Sequence, residues 1–351
     1  MAGTRGYYNY RGRKSKAKIA LTVLLVLVIL AAVVVMLLQR NIVYDETGTP
    51  RLELPWQAEE PAAVEGLPGP DDLDLTIEEA PVEELPSQIA MRAYALPVGV
   101  LTGAVWTEAE ALVQTESCEA VAVTLKDSAG NVYFDTEAAV TYSVKTAEDS
   151  AETLEKITGE ASDSYTIARI SCFLDPKAGD SHTTTMGLMN TGGYIFYDGN
   201  NSRWIDPGKA DARSYLSALI RDAAELGFDE ILLTNVCYPL EGKLDKIQYG
   251  EGDRPQKLSS FLEEIRVMLE PYSVALSVEV TETVLAEGRD DTAGLVLEDV
   301  VSVVDRVYAQ VSPEMVEAYA AAVEKANKAV SFVPELAAEK AGTLGRVLIL
   351  K

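Results

Sequence analysis

Histidine and cysteine are scarce in this 351-residue chain, and their scarcity excludes several kinds of site. His182 is the only histidine, so neither a Ser-His-Asp triad nor a multi-histidine zinc site can be assembled. Three cysteines are too few for a disulfide framework in a chain of this length. Neither a GxGxxG string nor a P-loop string occurs, which argues against nucleotide binding. We therefore expect no metal and no other cofactor.

Basic residues are outnumbered, with 30 Lys and Arg against 55 Asp and Glu and a net charge of -25. A surface this acidic repels phosphate backbones and anionic lipid headgroups, so nucleic-acid binding is not expected. The acidity has two explanations, solubility and a specific cationic partner, and we favour solubility.

Charge is also absent from residues 19–38, a predominantly apolar run without proline. At ~1.5 Å rise per residue, a helix of this length spans the ~30 Å hydrocarbon core of a bilayer. The first 18 residues carry six Lys or Arg and no acid. The positive-inside rule therefore predicts a single-pass protein of the cell membrane, with a cytoplasmic tail at 1–18 and a transmembrane signal anchor at 19–38. The rest of the chain is then extracytoplasmic. A cleaved signal peptide is the alternative, although its apolar region has only ~7 to 15 residues.

Residues 39–90 have the composition of a stalk. Residues 41–90 carry one Arg against thirteen Asp or Glu, and seven prolines lie between Pro50 and Pro86. Proline and self-repelling acids disfavour a packed core and extend the chain. The remaining residues, 91–351, are long enough for one large domain with a well-buried core.

Eight short apolar runs in this domain predict strands, and apolar faces with helical spacing, such as 215–223 and 258–269, fall between most of them. Continuous apolar strands separated by helices imply a parallel sheet covered on both faces. Eight repeats favour a closed (β/α)8 TIM-like barrel of the α/β class over an open doubly wound sheet. The predicted strands are 91–98, 120–126, 165–173, 230–236, 273–280, 306–311, 329–333 and 346–350. Cys172 and Cys237 would lie near the ends of adjacent strands, where a bridge and two buried free thiols are both open.

Chemistry in such a barrel is found at the carboxyl ends of the strands. The polar and aromatic candidates at or near those ends are Asp127, Asp175, Asn235, Tyr238 and Glu279, with Trp204 and Asp206 on the connection between the third and fourth strands. Carboxylates beside aromatic rings suit a carbohydrate, because acids accept hydrogen bonds from hydroxyls and rings stack on the apolar side of a sugar. Asp175 and Asp206 each precede a proline, so a helix N-cap is the alternative for both.

Several strand segments resemble those of the bacterial glycoside-hydrolase-like domain family, a group of TIM barrels. They are AVAVTLKDSAGNVYF (120–134), YTIARISCFLDP (165–176), RWIDP (203–207), AAELGFDEILLTNVCYP (223–239), VALSVEV (274–280) and VDRVYAQVSPEM (304–315). The resemblance covers roughly residues 91–335. It implies a carbohydrate-active barrel that acts on a cell-envelope polysaccharide or another extracellular glycan.

The match to the family pattern is incomplete at the fourth and sixth strands. The family usually has an Asp and an Arg before the aromatic-Pro pair of the fourth strand, whereas this chain has Thr234 and Cys237 around Asn235. At the sixth strand a Pro-Met-Tyr-Pro run is replaced by a segment that includes Ala309 and Gln310. The acid after the fifth strand remains, as Glu279, and the family pattern matches directly at Arg169, Asp127 and Asp206.

Two functions therefore stay open. In the first, the barrel has a degenerate catalytic site and binds a glycan or a protein partner without cleaving. In the second, it is an active hydrolase in which Glu279 pairs with Asp127, or with Glu282. In either case we expect the substrate-binding residues to be Arg169, Asp175, Trp204, Asp206, Asn235 and Tyr238. Glu279 has a further interpretation, as a structural ion pair with Arg169 inside the barrel.

Overall fold

The computed structural model describes residues 42–44, 50–52, 91–102, 111, 113–141, 151–159 and 164–350. The chain divides into two compact units, Met1–Ala80 and Pro81–Lys351. In the first unit, strands Ile42–Tyr44 and Pro50–Leu52 pair antiparallel. The predicted cytoplasmic tail, the signal anchor and most of the predicted stalk lie outside the described residues. Within the described residues, no helix has the length and apolar character needed to span a bilayer.

The second unit contains a closed barrel of eight parallel strands. In chain order they are β1 (Arg92–Ala95), β2 (Ala120–Lys126), β3 (Tyr165–Ser171), β4 (Glu230–Thr234), β5 (Ala275–Glu279), β6 (Arg306–Gln310), β7 (Ser331–Ala337) and β8 (Val347–Leu350). Each strand pairs with the next, and β8 pairs with β1 to close the ring. The predicted α/β class and eight-stranded barrel are confirmed.

Helices of the second unit cover the outside of the barrel. They are α1 (Glu137–Thr141), α2 (Ala151–Thr158), α3 (Pro176–Ser181), α4 (Ala210–Glu225), α5 (Arg254–Leu269), α6 (Glu282–Glu287), α7 (Leu297–Val301), α8 (Val316–Ala326) and α9 (Ala338–Ala341). The two longest carry the apolar faces seen in the sequence, and both faces are buried. Gly227, at φ +84°, supplies the left-handed residue just after α4.

Strand β7 extends further than its sequence predicts, to Ala337 instead of Val333. Pro334 lies inside it, opposite Ala309 of β6, and the ladder to β8 begins one residue later at Glu335. Proline has no N–H to donate and normally marks a strand end. The strand continues here because pairing with β8 begins only after the proline. As a result Glu335 belongs to the barrel wall.

The barrel interior is filled mainly by small and aliphatic side chains, and its amino end is closed by a polar network. Tyr308 donates its hydroxyl to Glu230 at 2.8 Å, and Arg306 pairs with Glu230 and donates to the Tyr165 hydroxyl at 2.9 Å. The interior residues are Met91, Ala93, Ala95, Ala120, Ala122, Ile167, Leu232, Tyr308, Val333 and Leu348. The amino end is therefore plugged, and accessible polar groups belong to the opposite end.

The three cysteines are free thiols. Cys172 and Cys237 are buried, which agrees with the free-thiol alternative and not with a bridge. Burial raises the pKa of the Cys172 thiol to about 12, so it remains protonated at neutral pH.

Candidate functional site

Three charged side chains from three strands meet at the carboxyl end of the barrel. Arg169 is the fifth residue of β3, Glu279 the last of β5 and Glu335 the fifth of β7. Arg169 Nη2 lies 3.4 Å from Glu335 Oε1 and 3.9 Å from Glu279 Oε2. The two carboxylate oxygens are thus no further apart than the sum of these distances. That limit is compatible with the ~5 to 5.5 Å between the carboxyls of retaining glycosidases and with the lower part of the ~6.5 to 9.5 Å range of inverting ones.

The two glutamates differ in their access to solvent. The Glu279 side chain is 25% exposed, whereas the Glu335 side chain is 0% exposed. Burial raises the pKa of Glu279, and the Arg169 charge opposes that rise. Burial, followed by repulsion from Glu279, raises the pKa of Glu335 to about 8, again opposed by Arg169. One guanidinium therefore serves two carboxyls, of which Glu335 is the more deeply buried.

Two buried polar atoms of this cluster have no hydrogen-bond partner in the described part of the chain. They are Arg169 Nε and Glu335 Oε2. Buried polar atoms are rarely left unpaired in folded proteins, and the exceptions concentrate where strain, water or a ligand is involved. The cluster of Arg169, Glu279 and Glu335, hereafter the carboxylate cluster, thus has unused bonding capacity, as does the buried Tyr238 hydroxyl after β4.

The end of β4 contributes neutral polar groups to the same end of the barrel. Asn235 follows β4 in a left-handed conformation, at φ +52°, which asparagine tolerates better than most residues. Its Nδ2 donates to Ser171 Oγ at 3.1 Å, at the end of β3. The residue that follows β4 is thus an amide that is bound to the neighbouring strand.

The Asp127 carboxylate forms its hydrogen bonds within its own loop. Its carboxylate accepts hydrogen bonds from the N–H groups of Ala129 and Asn131, from the Asn131 side chain and from the Tyr133 hydroxyl. Burial alone would raise the pKa of Asp127, but these bonds outweigh it and lower the pKa below its ordinary value. The described hydrogen bonds of Asp127 therefore all lie within its own loop, and none of them reaches Glu279.

Asp175 forms a buried ion pair and caps a helix. Its Oδ2 lies 2.9 Å from Lys126 Nζ, and its Oδ1 accepts from the Ala178 N–H as the N-cap of α3. Tyr215 of α4 also donates to Oδ2, at 3.3 Å. The N-cap alternative therefore describes the geometry of this residue, whose carboxylate is fully engaged.

The two aromatic residues predicted to stack on sugar are buried. Trp204 is 5% exposed, and its Nε1 donates to Asp198 at 2.8 Å. Tyr238 is 0% exposed and packs edge-on against Tyr249. The same β3–α4 connection instead exposes Tyr194 and Tyr197, at 74% and 47%. These two rings, and not Trp204 or Tyr238, are open to solvent.

Asp206 lines a pocket of about 400 Å³ beside α4. It accepts the Gly208 N–H at 2.8 Å, as an aspartate near a helix start commonly does. Burial raises its pKa, and the Gly208 N–H and the charges of Lys209 and Lys257 oppose that rise. Both lysines are already bound to backbone carbonyls, Lys209 to Gly187 and Lys257 to Tyr249. The pocket therefore carries balanced charges and few free donors.

No group of three or more His, Cys, Asp or Glu within the described residues is arranged to hold a metal ion. The residue of the carboxylate cluster that the sequence did not predict is Glu335. Its signal was an acid inside an otherwise apolar run, Phe332 to Leu336, but the proline before it made the run end early.

The chain matches a protein family in sequence and a solved glycoside hydrolase domain in fold. A sequence model of the family described as "Putative glycosyl hydrolase domain" matches residues 101–341. The curated proteins contain no match to the chain. The glycoside hydrolase domain of PgaB (BpsB) from Bordetella bronchiseptica superposes with a TM-score of 0.54 and 10% identity, over 75% of this chain and 94% of that one. A hypothetical protein from Ruminiclostridium thermocellum superposes with a TM-score of 0.46 and 22% identity, over 53% of this chain and 96% of that one. The likeness to the Bordetella domain is one of fold.

Proposed function

We propose, since this chain belongs to the glycosyl hydrolase domain family matched by residues 101–341, that its barrel binds a cell-envelope polysaccharide or another extracellular glycan. Binding takes place at the carboxyl end of the barrel, where the carboxylate cluster lies. In this proposal the site has lost part of the usual catalytic set, so binding is its principal activity.

The observation that carries the proposal is the unused bonding capacity of the carboxylate cluster. Glu279 is partly exposed and offers a charged acceptor, and the Arg169 guanidinium offers donors. Sugar hydroxyls both donate and accept, so this pairing of charges suits a ring with neighbouring hydroxyls. The loss of the usual Asp and Arg of the fourth strand, where this chain has Thr234 and Cys237 around Asn235, supports binding over cleavage.

Hydrolysis is a second candidate, because the cluster contains two carboxyls in one site. Glycosidases use one protonated and one ionised carboxyl, and Glu335 and Glu279 differ in burial in a way that favours such a split. Asp127, which we predicted as the partner of Glu279, bonds instead to its own loop. In this second candidate the pair is therefore Glu279 with Glu335.

We also propose that the barrel is held outside the cytoplasm by a single membrane helix at residues 19–38, with its amino terminus inside. The support is the charge asymmetry of the sequence around that apolar run. A protease added to intact cells or protoplasts should then remove the barrel. Protection until the cells are lysed would contradict this topology.

The function is tested on the second compact unit, residues 81–351, with a glycan array and an assay for new reducing ends on the same glycans. Binding without new reducing ends is the result expected from a degenerate site. New reducing ends that Glu279→Gln abolishes would establish hydrolysis. The matched control is Glu282→Gln, because Glu282 lies three residues away and is bound to Tyr319 of α8. Neither binding nor cleavage of any envelope or extracellular glycan would overturn both candidates.

A further inference from the structure

The carboxylate cluster contains one basic group and two acidic groups. One guanidinium, that of Arg169, faces two carboxyls, and its Nη2 is closer to the fully buried Glu335 than to the partly exposed Glu279. Each of these three residues extends from a different barrel strand, so packing of the strands fixes their separation. An ionised carboxyl without full pairing is very costly in a buried site, and such a group protonates instead.

The groups around Glu335 indicate which carboxyl keeps its proton. Arg169 faces it from β3 and Glu279 from β5, and Gln310 lies opposite it in the ladder between β6 and β7 and helps to lower its pKa. The buried thiol of Cys237 is protonated at neutral pH, because burial and then the Glu279 charge raise its pKa. A single positive charge therefore faces two acids. Glu335 has less access to water than Glu279, so Glu335 is the acid that keeps its proton.

We propose that Glu335 is the positioning residue of the carboxylate cluster: as a neutral acid it holds Arg169 in place and leaves Glu279 as the one charged carboxylate offered to a glycan. The buried Glu335 does not itself contact the sugar. The effect of this role on glycan binding rests on the proposed function, whereas the protonation of Glu335 does not. The raised pKa of Glu335, caused first by burial and then by the Glu279 charge, agrees with it.

The protonation step is tested without any glycan, by carbon-13 NMR of the carboxyl groups in residues 81–351 labelled with [δ-¹³C]glutamate. A glutamate carboxyl that titrates near pH 8 is expected, and Glu335→Gln should remove that signal. In Glu279→Gln the same carboxyl should titrate at lower pH, because it loses the repulsion of Glu279 and gains Arg169. Glu282→Gln, the matched control, should leave it unmoved.

Two results would overturn the proposal. One is a wild-type spectrum in which every glutamate titrates below pH 6, which decides the matter even if Glu335→Gln does not fold. The other is a Glu335 signal that Glu279→Gln does not shift.

A glycan that binds on the array provides a second readout. Wild-type affinity should fall at least about threefold between pH 7 and pH 9, as Glu335 ionises and draws Arg169 from the ligand, whereas Glu335→Gln should lose this dependence. Equal pH dependence in both proteins would show that Glu335 is only a packing residue. If no glycan binds, the proposed function fails, and the NMR titration still decides the protonation of Glu335.

Discussion

Lys126 Nζ lies 2.9 Å from Asp175 Oδ2, and neither side chain is exposed. The lysine is the last residue of β2, and it also donates to the Ser171 carbonyl at the end of β3 at 2.6 Å. The pair therefore joins the carboxyl ends of β2 and β3 to helix α3, next to the connection that carries Tyr194 and Trp204.

Breaking this pair should destabilise the domain. Lys126→Met leaves Asp175 buried and uncompensated, and the free energy of unfolding should fall by about 3 to 5 kcal/mol. Urea denaturation at pH 7 measures the loss. Lys156→Met is the control, because its ion pair with Glu152 is exposed and should contribute less than ~1 kcal/mol. Similar losses in both variants would contradict a buried structural pair.

Truncation of Trp204 should affect folding more than binding. Trp204→Ala removes a buried ring and its bond to Asp198, and should cost about 3 to 5 kcal/mol of stability. Tyr194→Ala removes an exposed ring, and its stability should stay within about 0.5 kcal/mol of wild type. Thermal and urea unfolding of the two variants distinguish these outcomes. A Trp204→Ala protein as stable as wild type would show that the ring is not part of the core.

We expect the affinity for a glycan to depend more on Tyr194 and Tyr197 than on Trp204. The two exposed rings are available to stack on a sugar, and Tyr194→Ala should weaken binding by about 1 kcal/mol or more without loss of stability. Titration of the array-identified glycan into each folded variant gives the measurement. Unchanged affinity in both tyrosine variants would place the glycan away from this connection.

Acid stability should depend on Asp127. The pKa of Asp127 in the folded protein is lower than its ordinary value, so its carboxylate adds stability above pH ~4 that is lost as the pH falls through the folded pKa. Asp127→Asn should therefore be less stable than wild type at pH 7, by about 1 to 2 kcal/mol, and the difference should shrink below pH 4. Urea unfolding between pH 2.5 and pH 7 tests the sign. A difference that stays constant over this range would exclude the charge as the cause.

Loss of charge at Glu279 should weaken a bound sugar. Glu279→Gln keeps the shape of the side chain but replaces charge-assisted hydrogen bonds with neutral ones, so affinity should fall about tenfold, or ~1.4 kcal/mol. Calorimetric titration with the array-identified glycan measures the change beside Glu282→Gln. Equal losses in both variants would point to a general effect of charge and not to contact at Glu279.

The fold was predictable because its strands are buried on both faces and read as continuous apolar runs. The end of β7 was not, because Pro334 is a local signal of a strand end whose effect was overridden by pairing with β8. The contact between Glu279 and Arg169 was one of the interpretations that the sequence left open. Glu335 was not predicted as a barrel residue for the same reason, because it follows Pro334 in β7.

The burial of Trp204 and the engagement of Asp175 depend on tertiary structure that local sequence does not encode. Trp204 is drawn inward because its segment bridges Leu174, just after β3, while Tyr194 stands near a turn of the same connection. In the sequence, Trp204 and Tyr194 are both aromatic residues on the connection between two strands, and nothing local distinguishes them. Only the path of the connection decides which ring reaches solvent.

The pairing of β8 with β1 has a consequence for the order of events in folding. Arg92 of β1 donates to the carbonyl of Leu344, 252 residues further along the chain. During synthesis β1 is made first, and its edge has no partner until the last strand of the ring arrives. High contact order slows folding, and an open strand edge invites pairing with other chains. The edge of β1 that pairs with β8 therefore lacks its barrel partner until synthesis reaches β8.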